Sequence, residues 1–313
     1  MSSRSLPQFR AEIDDEGRWA RQESAFRQFV TADGSSGFPA EPGRYHLYVS
    51  LACPWAHRAI IARRLKRLDR VISMSLVDPV RDERGWAFDE GPGEHPDPVN
   101  SFGFLYEAYE ATDPTFGGRV TVPVLWDKES DRAVNNESAE IIRMLNSEFD
   151  EWGDRSVDLY PAELRDEIDE INAYVYARVN DGVYRAGFAT RQAAYEDAFD
   201  ALFAALDRID ERLSRQRYLV GDRFTEADWR LFTTLLRFDA VYYSHFKCNR
   251  RRIVDYPSLW PYARDLYQVP GVAETVDMDH IKRHYYCTHG SINPTRIVPK
   301  GPEIDFLEPH GRG

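Results

Sequence analysis

Apolar and polar residues alternate along residues 45–50, with Tyr45, Leu47 and Val49 set against His46, Tyr48 and Ser50. A period of two is the pattern of a pleated strand. Directly after it, Ile60, Ile61, Leu65 and Leu68 take helical spacing and predict one buried helix face. Val71 to Val77 reads as a second strand, so the chain opens strand–helix–strand and predicts a parallel pair. Residues 78–100 hold several prolines and glycines and read as a long loop. Phe104, Leu105, Ala108 and Tyr109 share a face of a predicted helix over 101–112. Strand patterns follow at Arg119 to Asp127 and Arg132 to Asn135, which are expected to pair. Pro123 falls inside the first of them. Its missing amide is a defect there unless the bond is cis or the strand lies at an edge. Glu137 and Ser138 then open a helix carrying Ile141, Ile142 and Leu145. This order of elements is thioredoxin-like.

After an acidic link at 150–162 the period is helical throughout. One seam runs through Ile168, Ile171, Val175 and Val179, another through Phe199, Leu202, Phe203, Leu206, Ile209 and Leu213. Thr225-Glu-Ala-Asp228 resembles a capping box, with Asp in place of the usual Glu or Gln. The expected division is an N-terminal arm at 1–43, a thioredoxin-like domain at 44–150, an all-helical domain at 161–289 and an irregular tail at 290–313. Trp19, Phe26 and Phe29 are candidates to pin the arm to the body.

Composition narrows the class of function. The formal charge of −12 disfavours nucleic acid or an anionic membrane as the main partner. No apolar run is long enough to span a bilayer, and the N-terminus lacks the apolar core of a signal peptide. Three cysteines far apart do not make a disulfide framework. The expectation is a soluble protein of a reducing cytoplasm.

The chemistry concentrates at Cys53, at the joint between the first strand and the first helix. Pro54 follows at the first helical position, where a proline loses no helical hydrogen bond. Partial positive charge at a helix N-terminus favours a thiolate, so Cys53 is read as a reactive thiol rather than a small buried side chain. The motif closes as Cys-Pro-Trp-Ala, without the second cysteine of a dithiol oxidoreductase. Turnover would need an external thiol. Trp86, in the long loop, is either an anchor or a wall of the site above that helix. His280, His284, Cys287 and His289 are metal-ligand types at close spacing, but read better as a histidine-rich helix end, and no metal is expected. Cys248 reads as structural.

Several motifs together resemble one family. Ser50-Leu-Ala-Cys-Pro-Trp-Ala-His57, Gly85-Trp86, Arg119-Val-Thr-Val-Pro-Val-Leu-Trp-Asp-Lys128, Asn136-Glu-Ser138, Asn180-Asp-Gly-Val-Tyr-Arg-Ala-Gly-Phe-Ala189 and Tyr242-Tyr-Ser-His-Phe-Lys-Cys248 are similar to those of the glutathionyl-hydroquinone reductases. These are the Xi-class glutathione transferases. His280-Ile-Lys-Arg-His-Tyr285 and Ile292-Asn-Pro-Thr295 resemble them too, so the likeness spans about residues 44 to 300.

The resemblance implies a thioredoxin-like domain followed by an all-helical one, glutathione as co-substrate, a glutathionyl-hydroquinone as substrate, and a homodimer. It makes Cys53 the nucleophile. Trp86, Arg119, Val120, Thr121, Val122, Glu137 and Ser138 would hold glutathione. Tyr184 would be the proton donor or acceptor, and Tyr242 and Tyr285 would help to keep Cys53 ionised. The three tyrosines are expected to converge on Cys53 in a cleft between the domains, with Tyr184 just past a helix stop at Asn-Asp-Gly. A cis Pro123 would let Val122 pair with the cysteinyl backbone like an added strand. Glu137 would take the γ-glutamyl ammonium. Ser138 and its helix N-terminus would take the adjoining carboxylate, and Arg119 the glycyl one. The competing functions are a general thiol transferase or dehydroascorbate reductase on the same scaffold, and a binding module without turnover.

Overall fold

A computed structural model describes residues 12–88 and 95–312. Part of the long proline-rich loop, residues 89–94, therefore lies outside the described residues, as does the start of the arm. By contact density the chain divides into two units. Residues 22–158 and 275–289 form one; residues 12–21, 159–274 and 290–312 belong to the other. The helical domain expected at 161–289 thus yields its last segment, by contact, to the first unit.

In the first unit, β1 (Tyr45–Val49), β2 (Ser73–Leu76), β3 (Val124–Asp127) and β4 (Arg132–Asn135) make one sheet in the order β2-β1-β3-β4. β1 and β2 are parallel, and the other two pairs are antiparallel. Helix α1 (Pro54–Leu65) joins the parallel strands, α2 (Tyr106–Thr112) precedes β3, and α3 (Ser138–Ser147) follows β4. This is the thioredoxin-like arrangement the strand order predicts.

Burial in β1 and α1 is wider than an alternating strand and a one-faced helix would suggest. β1 is buried at all five positions, polar ones included, because it is a central strand covered on both sides. His46 is accommodated by two hydroxyls of β2, with Nδ1 2.7 Å from Ser73 Oγ and Nε2 2.9 Å from Ser75 Oγ. Burial pushes its pKa down to about 4, so the ring is neutral. Likewise α1 is buried from Pro54 through Arg63, not along one stripe. Its buried Arg63 is satisfied by the carbonyls of Ile72 (2.7 Å) and Asp69 (2.9 Å) and by the Asp69 carboxylate (3.0 Å).

The edge of the sheet is covered by the arm. Arg27 bridges Asn135 in antiparallel sense, Gln28 N–H donates to Val134 O (3.0 Å) and Asn136 N–H to Phe26 O (3.0 Å). Pairing the β4 edge in this way removes a row of unpaired backbone groups. Phe26 packs against Tyr109 and Phe116, as expected of a pin. Phe29 does not: it is 40% exposed, and Val30 is the buried residue. The segment Arg119 to Pro123 is not strand; β3 begins only at Val124.

The second unit is helical: α4 (Arg165–Val175), α5 (Gly182–Phe188), α6 (Gln192–Leu213), α7 (Glu226–Arg237) and α8 (Leu259–Tyr267). α9 (Met278–Thr288) belongs to the first unit. The capping box at α7 forms as the motif predicts. Ala227 N–H donates to Thr225 Oγ1 (3.3 Å) and Thr225 N–H to Asp228 Oδ2 (2.8 Å). The Asn-Asp-Gly stop does not form. α4 widens into a π-turn over Tyr176–Asn180 and the chain runs on into α5. Asn180 is held there by α7, donating to Arg230 O (3.0 Å) and Thr234 Oγ1 (2.8 Å). Tertiary hydrogen bonds outweigh the local stop signal. Residues 290–312 carry no helix or strand; Arg312 bonds the carbonyls of Leu213, Gln216 and Arg217 near the end of α6.

Candidate active site

Cys53 is the N-cap of α1, with extended backbone (φ −80°, ψ 122°) and Pro54 behind it. Its carbonyl takes the first helical bond, from His57 N–H at 3.0 Å. Its side chain makes no capping hydrogen bond; the thiol instead points at Val122 O, 3.6 Å from Sγ. Cys53 is half-buried and a free thiol.

The facing segment is shaped by one tyrosine. Tyr109 of α2 donates its hydroxyl to Thr121 O (2.8 Å) and accepts from Thr121 N–H (3.1 Å) and from Asn136 Nδ2 (3.0 Å). That fixes residues 119–122 outside any strand ladder. The Val122–Pro123 bond is cis, as expected. Val120 and Val122 are buried, whereas Arg119 and Thr121 are half-buried. From the sequence Tyr109 reads only as part of a helix face, not as a site residue. One tyrosine among seventeen on a helix face carries no mark of this role.

Glu137 is the N-cap of α3. Its Oε1 accepts from Ala139 N–H (3.0 Å), and its Oε2 from Ser24 Oγ (2.9 Å). Ser138 Oγ lies 3.5 Å from Glu137 Oε1, and Arg58 Nη1 lies 3.5 Å from Ser138 Oγ. Arg58 comes from α1, five residues after Cys53, and is buried. A cation, a hydroxyl, a carboxylate and a helix N-terminus thus stand side by side. That is a donor and acceptor set suited to an amino acid head with both charges.

Trp86 is buried in the loop between β2 and α2, stacked on His284 of α9 at 5.1 Å and 15°. The Arg81 guanidinium lies over its ring at 4.7 Å. His284 is fixed by Pro79 O, 2.6 Å from Nδ1. The Trp86 Nε1–H is buried and has no hydrogen-bond partner among the described residues, a feature shared with Trp126 and Trp229. Tyr285 follows His284 on α9, is also buried, and meets its ring edge-on at 5.1 Å. Among the described residues no three His, Cys, Asp or Glu side chains gather as a metal site, so His280, His284, Cys287 and His289 do not form one.

In the second unit the hydroxyls of Tyr184 and Tyr242 stand 3.5 Å apart. Tyr184 sits in α5 just after one π-turn, and Tyr242 ends another, Phe238–Tyr242, that continues α7. Such turns often mark functional positions. Cys248 is fully buried nearby, its N–H bonded to Tyr242 O (3.0 Å), and burial pushes its thiol pKa well up. It is the structural thiol its sequence setting suggests.

Comparison with known proteins places this geometry. Residues 52–148 match the glutathione S-transferase N-terminal domain, and residues 192–265 the C-terminal domain. The chain is 53% identical over 303 residues to the glutathionyl-hydroquinone reductase YqjG of Escherichia coli, covering 95% of this chain and 92% of that protein. It is 55% identical to the glutathionyl-hydroquinone reductase PcpF of Sphingobium chlorophenolicum, covering 91% and 90%. The chain belongs to the Xi-class glutathione transferases. A Xi-class enzyme from Natrialba magadii superposes with a TM-score of 0.90 at 52% identity, over 95% of each chain. The glutathione-bound structure of the Escherichia coli protein also gives 0.90, covering 95% of this chain and 97% of that one. Both the thioredoxin-like unit and the helical unit are those of this Xi class.

Proposed function

We propose that this Xi-class transferase reduces glutathionyl-hydroquinones to hydroquinones at the expense of glutathione. The observation that carries the reading is Cys53 at the start of α1, its sulfur turned to the Val122 carbonyl that precedes a cis proline. The Cys53 thiolate attacks the glutathionyl sulfur of the conjugate. A sulfur–sulfur bond forms, the aryl carbon–sulfur bond breaks, and its electron pair goes to the ring carbon. That carbon takes a proton from Tyr184, and hydroquinone leaves. A second glutathione thiolate then attacks the glutathionyl sulfur of the mixed disulfide, releasing oxidised glutathione and the Cys53 thiolate. The proton of that second thiol balances the one taken up by the ring. Ala56 fits the scheme, since no second cysteine in the motif can resolve the disulfide.

The first unit supplies the glutathione site in this reading. Val122 offers its backbone to the cysteinyl residue. Glu137 accepts the γ-glutamyl ammonium, Ser138 and the N-terminus of α3 take the adjoining carboxylate, and Arg119 pairs with the glycyl carboxylate. Val120 and Thr121 keep that segment in place, and Trp86 with its indole N–H closes the side. Tyr242 assists through Tyr184, and Tyr285 through hydrogen bonding that favours the thiolate. The enzyme is read as a cytoplasmic homodimer. No helix among the described residues is long and apolar enough to cross a membrane.

Incubation with glutathionyl-menadione followed by intact-protein mass spectrometry tests the scheme: one added glutathione should map to Cys53. Rates on hydroxyethyl disulfide or dehydroascorbate equal to those on the conjugate would favour a general thiol transferase instead. Replacement of Tyr184 by Phe should slow carbon–sulfur cleavage by about 100-fold, the usual worth of a positioned proton donor. Thiol transfer to hydroxyethyl disulfide, which needs no ring protonation, should be spared.

A further inference from the structure

The arm before β1 does more than cover the β4 edge. Residues 12–20 fold back on themselves: Ile13 bridges Trp19, Ala20 N–H donates to Glu12 O (2.8 Å), and Gly17 N–H to Asp14 O (3.0 Å). Gly17 has φ +78°. A side chain there would come within 2.8 Å of Thr190 and Arg191, and Gly17 O accepts from Thr190 N–H at 3.0 Å. The small turn is therefore seated at the end of α5. It carries Trp19, which is buried, donates its indole N–H to Glu12 Oε2 (3.3 Å) and stacks on the ring of Tyr184 at 5.7 Å and 29°. Trp19 also contacts Phe188, one turn further along α5.

Five residues later the chain is in the first unit, and Ser24 donates to Glu137 Oε2 at 2.9 Å. With Ala139 N–H on Oε1, both oxygens of that carboxylate are fixed, one by its own helix and one by the arm. The neighbouring bonds hold Ser24 in register: Phe26 N–H to Asn136 Oδ1 (2.9 Å), the backbone pairing with β4, and the Arg27–Glu140 ion pair.

We propose that the arm is part of the catalytic apparatus, with Ser24 a positioning residue for the glutathione-binding carboxylate Glu137 and Trp19 a positioning residue for the proton donor Tyr184. The inference rests on the reading of Glu137 and Tyr184 given above. It makes a claim that a purely structural arm would not: the two residues affect different parameters. Ser24 acts on glutathione binding, in every reaction that uses it. Trp19 acts on protonation of the ring, and only in carbon–sulfur cleavage.

The test uses the full chain with Ser24→Ala, Ser24→Thr, Trp19→Leu and Trp19→Phe, assayed with glutathionyl-menadione and with hydroxyethyl disulfide. Ser24→Ala should raise the KM for glutathione by about tenfold or more in both reactions at unchanged kcat, the effect of one hydrogen bond to a charged group. Ser24→Thr should restore it. Trp19→Leu should lower kcat on the conjugate by roughly tenfold through misplacement of the donor, with hydroxyethyl disulfide turnover and the KM for glutathione unchanged. Trp19→Phe, which keeps a stacked ring, should recover most of the loss. Glutathione affinity is measured separately by calorimetry on Cys53→Ser with and without Ser24→Ala, where no turnover occurs. A wild-type enzyme inactive on the conjugate, together with a drop in affinity on losing Ser24, would fail the proposed reaction and leave the Ser24 assignment standing. Equal kinetics and affinity in all variants would overturn the proposal. So would a parallel loss of every activity that tracks a lowered melting temperature.

Discussion

Two helix starts in this molecule are built in opposite ways. α7 begins with a full reciprocal cap. Thr225 Oγ1 accepts from Ala227 N–H and Asp228 Oδ2 from Thr225 N–H, and Asp228 Oδ1 also accepts from Leu219 N–H and Tyr262 O–H, each at 2.8 Å. α1 begins with Cys53, whose side chain caps nothing, and with Pro54, which has no amide to cap. At α7 the polar groups are spent on the fold. At α1 the side chain that would ordinarily serve as a cap is a thiol turned to Val122, the nucleophile of the proposed reaction. The helix start at α3 lies between these extremes: Glu137 caps Ala139 N–H and still belongs to the proposed glutathione site. The same local geometry thus yields a structural element or, in the function proposed for Cys53, a reactive one.

The largest expected effect separates the two. Cys53→Ser should cost at least about a thousandfold in turnover of the conjugate, roughly 4 kcal/mol in transition-state stabilisation. Its melting temperature should stay within a degree or so of the wild type, because the thiol makes no capping bond whose loss would matter. Retention of turnover by this variant, or a large drop in melting temperature, would break the comparison from the catalytic side.

The α7 start should behave in reverse. Asp228→Ala leaves the amides of Leu219 and Thr225 and the hydroxyl of Tyr262 buried without an acceptor, and should destabilise the protein by about 3 kcal/mol in urea unfolding. Thr225→Ala removes the cap bond from Ala227 N–H and the hydroxyl's own bond to Asp228 Oδ2, and should cost about 1 kcal/mol. Both should leave turnover per folded molecule unchanged. A Thr225→Ala enzyme with normal stability and impaired kinetics would show that this helix start, too, serves the reaction.

Both starts were legible in the sequence, because capping is local chemistry. Thr-Glu-Ala-Asp spells a reciprocal cap, and a cysteine followed by proline at a strand–helix joint spells a cap left open. The order of elements along the chain was legible for a similar reason: alternation gives way to helical spacing between Tyr45 and Leu65. Long-range contacts were not legible. Nothing in Asn-Asp-Gly discloses that Asn180 bonds Arg230 O and Thr234 and carries a helix through to Tyr184. Likewise, Ser24 meets Glu137 across 113 positions of sequence, and Arg58 meets Ser138 across 80. The choice of Tyr184, Tyr242 and Tyr285 among seventeen tyrosines came from family likeness, and their shared action on Cys53 is a matter for the kinetics of the Phe variants.

The smallest effect tests whether the cap at α7 is a stability device and nothing more. Asp228 is fully buried, and burial raises its pKa from 3.8 to about 6 against the opposing pull of the Leu219 and Thr225 amides. A carboxyl whose folded pKa is raised binds its proton more tightly in the folded state. Its favourable contribution is complete below pH 3.8, fades as pH rises, and is gone above about 6. His46 and His245 run the other way, since burial lowers both to about 4 and the unfolded chain takes up their protons first as pH falls below 6.5. The total pH profile therefore mixes opposing slopes, and Asp228 must be isolated by difference. Asp228→Asn cannot titrate at this position. Between pH 7 and pH 5 the unfolding free energy of the wild type should rise by about 1 kcal/mol relative to that variant, as linkage requires for a pKa near 6. Over the same interval the ratio of their kcat values should stay constant. A constant stability difference would mean that Asp228 remains ionised within its hydrogen bonds. A changing kcat ratio would mean that the charge at the start of α7 acts on the chemistry.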